Sequence, residues 1–130
     1  IRGITRGTGR GHLARAALEG IALQIADLVE AMSADYGRAV AVLKVDGGAA
    51  ANDLLMQIQS DLLELPLERP TMQEATALGA IFLAGLGAGI WPDREALRST
   101  WQRERRFDPA PDLDALASLR QRWRDAVERA

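Results

Sequence analysis

Val45-Asp46-Gly47-Gly48-Ala49-Ala50-Ala51-Asn52-Asp53 reads as the end of a strand that passes through a paired-glycine turn into a helix. Ahead of it, Ala39-Val40-Ala41-Val42-Leu43-Lys44-Val45 is a mostly apolar run of buried-strand length. Behind it, Leu55, Ile58 and Leu62 recur at helical spacing beside Leu54 and Leu63, so a helix is expected from about Ala50 to Leu63. Adjacent glycines can take up positive φ, and without a Cβ they let another group come close to the backbone. The start of the following helix adds unpaired N–H groups and a partial positive charge. Strand, glycine turn and helix start together suit the seating of a nucleotide. An ordinary tight strand–helix turn uses the same residues, and a glycine pair alone does not separate the two.

Composition narrows the class. The length of 130 residues suits one domain or a piece of a larger one, and 48% apolar residues allow a sizeable core. Eighteen acidic residues against sixteen basic ones argue against a general nucleic-acid binder, whose footprint is a basic surface. Arg103-Glu104-Arg105-Arg106 is the one basic cluster, and a solvated strand or loop face accounts for it better than a phosphate site. With no cysteine, disulfides, zinc–thiolate sites and thiol nucleophiles are excluded, and the single histidine, His12, cannot build a His-rich metal site. No apolar run reaches the roughly 18–20 residues needed to span a bilayer. No secretory signal is visible, although a start at Ile1 rather than Met allows for upstream sequence. The expectation is a soluble, cytoplasmic α/β protein.

Outward from the glycine turn, further elements are expected. Ile1–Gly11 is glycine-rich and reads as a strand end and loop, with Thr8 a candidate helix cap. Leu13, Ala17, Leu18, Ile21, Ile25, Leu28 and Met32 mark one face of a long helix from His12 to about Ala34, and Leu18, Ile21, Ile25 and Leu28 are expected to be buried. Gly37 suits the left-handed position after its last turn. Leu65–Pro70 is short and extended, and Thr71 with Glu74 has the spacing of a capping box. The helix from Glu74 to Leu86 carries so many small residues, Gly79 and Gly85 among them, that another backbone is expected close against it. Asp93 can cap a short helix to about Thr100, and Arg105–Pro109 reads as extended chain and turn. A last helix is expected from near Asp112, with Leu116, Leu119, Trp123 and Val127 on one face. Its acids, Asp112 and Asp114, lie early and Arg122, Arg124 and Arg129 lie late, as the helix dipole favours. Two convincing strands make a poor sheet. The chain therefore reads as a fragment, cut inside a domain near its glycine-rich start.

Four blocks carry a family resemblance: Gly3-Ile4-Thr5-Arg6-Gly7-Thr8 with His12–Ala16; Val45–Asp53 with Leu54-Leu55-Met56-Gln57; Arg69-Pro70 with Glu74–Ala80; and Leu83–Leu86 with Gly89-Ile90-Trp91. In that order and spacing, over about Ile1 to Pro109, the chain resembles the C-terminal part of the glycerol kinases, in the FGGY family of carbohydrate kinases. Pentulose and gluconate kinases of the family share the glycine turn and the Gly-Ala helix. Asp46-Gly47-Gly48, Asn52 and Thr76–Ala80 are worded as in glycerol kinases.

The resemblance implies an α/β fold, helix-rich with a small sheet, belonging to the C-terminal actin/hexokinase/Hsp70-like (ribonuclease H-like) ATPase domain. It implies residues 1–109 as the segment with the adenosine motif and a hinge helix, and 110–130 as a C-terminal helix of the same domain. It further implies ATP-dependent phosphorylation of glycerol to sn-glycerol 3-phosphate and ADP, with Mg²⁺, in a cytoplasmic homo-oligomer. Gly48 would meet the nucleotide through its backbone and Asn52 would contact the adenine side, with Gly47 allowing the turn and Asp46 shaping it. For Asn52, a bond to nearby backbone at a helix start is the competing reading. No catalytic residue and no metal ligand is implied within this chain, so the chain alone is expected to be inactive. A pentulose or sugar-acid kinase and a non-catalytic adenine-nucleotide-binding module are the alternatives. The tail beyond Pro109 follows the family less well.

Overall fold

A computed structural model, describing residues 1–110 and 114–129, divides the chain into α1 (Arg10–Tyr36), β1 (Leu43–Lys44), a 3₁₀ turn (Gly48–Ala51), α2 (Asp53–Leu63), β2 (Leu67–Pro70), α3 (Ala75–Gly87), α4 (Arg94–Arg98), β3 (Arg103–Phe107) and α5 (Asp114–Val127). β1 runs parallel to β2 across the α2 crossover, and β3 closes the sheet antiparallel to β2. The α/β expectation holds, with helices dominating a three-stranded sheet.

The strand expected over Ala39–Val45 contracts to Leu43–Lys44, with the Leu43 and Val45 N–H groups donating to Pro66 and Glu68 carbonyls at 3.0 Å each. Residues 39–42 have no partner strand because the chain opposite them is still completing α2. Glu64, left-handed at φ 55°, ends that helix and leaves only a short strand to pair with. The opening residues form no strand either. They make a turn in which the Thr5 N–H donates to Thr8 Oγ1 at 2.9 Å. Thr8 is thereby occupied, and α1 starts instead from Gly9, whose N–H donates to His12 Nδ1 at 3.1 Å. Gly37 ends α1 at φ 71°, as its position suggests.

The core joins Ala22 and Leu23 of α1, Ala50, Leu55, Met56, Ile58 and Leu62 of the turn and α2, and Leu67 and Phe107 of the sheet. α1 is rotated from the expected orientation. Ala22, Leu23, Ala26 and Val29 are its buried residues, Leu18 and Ile25 are half-buried, and Ile21 and Leu28 are 45% and 54% exposed. Alanines at 22 and 26 let α1 lie close on its neighbours, which a stripe of larger side chains would prevent. The polar side of α1 meanwhile receives α5: Trp123 Nε1 donates to Asp27 Oδ2 at 2.7 Å, and Arg120 pairs with Glu30 at 4.0 Å. Leu116, Leu119 and Trp123 pack on the core, but Val127 is exposed. The expected start of this helix near Asp112 lies outside the described residues.

At α3 the expected capping box does not form. Glu74 is the cap residue without a side-chain bond, and the Thr71 N–H donates to Gln102 O at 3.0 Å, prolonging the β2–β3 pairing. The close backbone neighbour expected for α3 is also missing among the described residues. A Cβ on Gly79 would meet nothing within 4 Å, Gly85 is the only buried residue of the helix, and Ile81 and Leu83 are exposed.

Candidate functional site

The two glycines of the turn differ. Gly47 takes φ 81°, ψ 173°, a conformation open to glycine, and its N–H donates to Gln73 O at 2.9 Å. Gly48 begins the 3₁₀ turn without positive φ, and a Cβ there would meet nothing within 4 Å. Neither backbone strain nor packing among the described residues therefore calls for glycine at 48. The turn is anchored from below by Ala50, buried in the core.

Asn52 lies outside the helix that was expected to contain it. It caps α2, with Oδ1 accepting the Leu55 N–H at 3.1 Å, so the local-backbone reading of this residue is realised. Only the oxygen is engaged: the amide nitrogen, two donors on an exposed side chain, makes no hydrogen bond among the described residues. Asp46 is exposed and its carboxylate likewise has no partner there, so the start of the turn is shaped by the Gly47 backbone bond.

Arg69 was named from the sequence only as part of a family block and given no role, yet it is the one charged residue buried among the described ones, at 5% exposure. Its Nη1 donates to Ala50 O at 2.7 Å and to Asp53 Oδ1 at 2.8 Å, while Nε and Nη2 reach Glu104 Oε2 and Oε1 at 2.6 and 3.1 Å. The hydrogen bond to Glu104 leads in raising the Arg69 pKa above its ordinary value; burial opposes it and Asp53 adds to it. The β2–β3 register slips between Arg69 and Pro70, so that Glu104 is passed over in the pairing and faces Arg69. Alternation was the available signal: Leu65, Leu67 and Arg69 share one face of the extended segment, and Leu67 points into the core.

The basic cluster is spent on carboxylates. Arg103 and Arg106 reach Glu68 Oε1 at 2.7 and 3.2 Å, Arg106 also reaches Asp108 at 2.8 Å, and Arg105 pairs with Asp53. It forms the charged edge strand β3, consistent with a solvated strand face. A cavity of about 1010 Å³ opens on the Asp46 side of the turn, between Lys44, Thr71, Leu78, Phe82 and Trp101. Gly48 and Asn52 are not among its walls. Among the described residues no cluster of three His, Asp or Glu is placed to hold a metal ion, and no helix is long and apolar enough to cross a membrane.

A family model described as the C-terminal domain of the FGGY family of carbohydrate kinases matches residues 1–88. The chain belongs to that family. It is 61% identical over 128 residues to the glycerol kinase of Aromatoleum aromaticum, covering 98% of this chain and 26% of that protein. The identity to the glycerol kinase of Pseudothermotoga lettingae is 51% over 130 residues, with 100% and 26% covered. The chain spans about a quarter of the length of these relatives. The crystal structure of Plasmodium falciparum glycerol kinase with ADP superposes at a TM-score of 0.85 with 36% identity, over 99% of this chain and 26% of that one. Xylulose kinase from Rhodospirillum rubrum, 24% identical at a TM-score of 0.79 over 98% and 26%, shares the fold. The architecture is thus that of the FGGY kinases, with their actin/hexokinase-like ATPase fold.

Proposed function

We propose that this segment is the C-terminal, nucleotide-binding part of a longer ATP-dependent glycerol kinase, which forms sn-glycerol 3-phosphate and ADP. The observation that carries the reading is Gly48: an exposed glycine that its own fold does not require leaves open backbone for a ligand to approach. Beside it, the free Asn52 amide offers donors to a heterocycle with ring acceptors. Gly48 and Asn52 would hold the adenosine part, and Gly47 would supply the turn. ATP supplies the transferable phosphoryl group.

The carboxylates that hold Mg²⁺, the groups that act on the hydroxyl and the glycerol pocket are assigned to the rest of the longer chain. Residues 1–109 would form the nucleotide and hinge segment and 110–130 a helix of the same domain, in a cytoplasmic homo-oligomer. Identities of 50–61% to glycerol kinases favour glycerol over a pentulose or sugar acid, whose kinases are 23–24% identical among the solved structures.

The test is ADP production by the purified full-length protein with glycerol, xylulose and gluconate as acceptors. Glycerol-dependent turnover well above the other two is expected. Background turnover with glycerol beside clear turnover of xylulose or gluconate would replace the substrate assignment, and background with all three would leave the non-catalytic module.

A further inference from the structure

The glycine turn is held at both ends by groups that no ligand needs to touch. At its start the Gly47 N–H is fixed to Gln73 O at 2.9 Å. At its far end, Arg69 Nη1 binds Ala50 O, inside the turn, and Asp53 Oδ1, at the first residue of α2. The other two Arg69 bonds go to Glu104 on β3, and its guanidinium carbon lies 5.3 Å from the centre of the Phe107 ring. One planar fork thus joins the turn and the helix start to the far strand of the sheet. Lysine, a single nitrogen on a flexible stem, cannot make those bonds at once.

We propose that Arg69 is a positioning residue for the nucleotide: it holds the backbone from Gly48 to Asn52 in the conformation that receives the adenosine part. A turn ordered in advance does not draw its ordering cost from ligand affinity. The inference rests on the assignment of the Gly48–Asn52 turn to the nucleotide. It adds a residue that the nucleotide does not contact.

The test uses the full-length kinase, with KM measured for ATP and glycerol separately and a melting curve for each variant. Arg69→Lys and Arg69→Met are expected to raise the KM for ATP about tenfold while the KM for glycerol stays within about twofold. Ser60→Ala is the stability control, because the Ser60 hydroxyl reaches Leu65 O and Phe107 O at the opposite end of α2. It should lower the melting temperature and leave the KM for ATP unchanged. Should Arg69→Met fail to fold, Glu104→Gln, which weakens the anchor but keeps the arginine, is expected to raise the KM for ATP about threefold. Gly48→Val separates the two ideas. If Gly48→Val raises the KM for ATP and neither folded Arg69→Lys nor Glu104→Gln does, the positioning role is overturned and the nucleotide assignment stands. If all three leave it unchanged, both fall. An equal rise in Ser60→Ala would reduce Arg69 to a stabilising residue.

Discussion

The Trp91 ring occupies the space in which a Cβ on Gly85 would stand. Phe82 meets that ring edge-on, with centroids 5.4 Å apart at 88°, and the Ile90 N–H donates to Gly85 O at 2.8 Å. The half-buried Trp91 ring thus packs on Phe82, with the chain beside it tied to the helix, and it would have to shift to admit a methyl group at 85. Gly85→Ala gains up to about 1 kcal/mol of helix propensity. Overpacking typically costs about 1–3 kcal/mol, so the steric term is expected to win. A lower urea midpoint for Gly85→Ala in the full-length kinase is the expected result; an unchanged or higher one would mean that Trp91 does not cover this glycine.

Glu68 sits between Arg103 and Arg106, and the hydrogen bond from Arg103 leads in lowering its pKa below the ordinary carboxylate value. A folded-state pKa below the unfolded one contributes stability that is present above the unfolded pKa and lost as pH falls through the folded one. The stability deficit of Glu68→Gln relative to the native chain should accordingly be largest near neutrality and shrink on acidification below the ordinary glutamate range, about pH 4. Paired melting curves from about pH 7 to about pH 3 measure it. A deficit that does not change with pH would show that the charge of Glu68 is not what matters.

Asn52 combines a cap and a free amide, and serine can part them, because it caps about as well but carries no amide. Asn52→Ala should lose about 1 kcal/mol of stability, whereas Asn52→Ser should melt close to the native protein. Both are expected to raise the KM for ATP, by up to about tenfold for one neutral hydrogen bond. Asn52→Ser with a native KM would make this residue a helix cap and nothing more.

What could be read from the sequence was mostly local chemistry. Gly37 after α1, Asp93 ahead of α4 (its Oδ1 accepts the Ala96 N–H at 2.9 Å) and the glycine turn each follow from residues within a few positions. The facing of α1 is set by its packing on α2, where Ala22 and Leu23 join Leu55, Met56, Ile58 and Leu62 in the core, so Ile21 and Leu28 could not be placed by periodicity alone. β1 was read too long because its extent is set by the chain opposite, which ends at Glu64. At the candidate site, the family resemblance named Gly48 and Asn52. It did not show that Gly47 carries the positive φ, nor that Arg69 reaches back to Ala50 across nineteen positions.

The central claim is that a nucleotide uses the open backbone at Gly48, and the KM for ATP of Gly48→Val in the full-length kinase tests it most directly. With no positive φ at 48 and nothing among the described residues within 4 Å of its Cβ, the substitution should leave the melting temperature near native. A branched side chain should nonetheless obstruct a nucleotide brought against that backbone. The account predicts a rise of about tenfold or more in the KM for ATP with the KM for glycerol nearly unchanged. A folded Gly48→Val enzyme with a native KM for ATP would contradict it, and the glycine turn would then be a strand–helix connection alone.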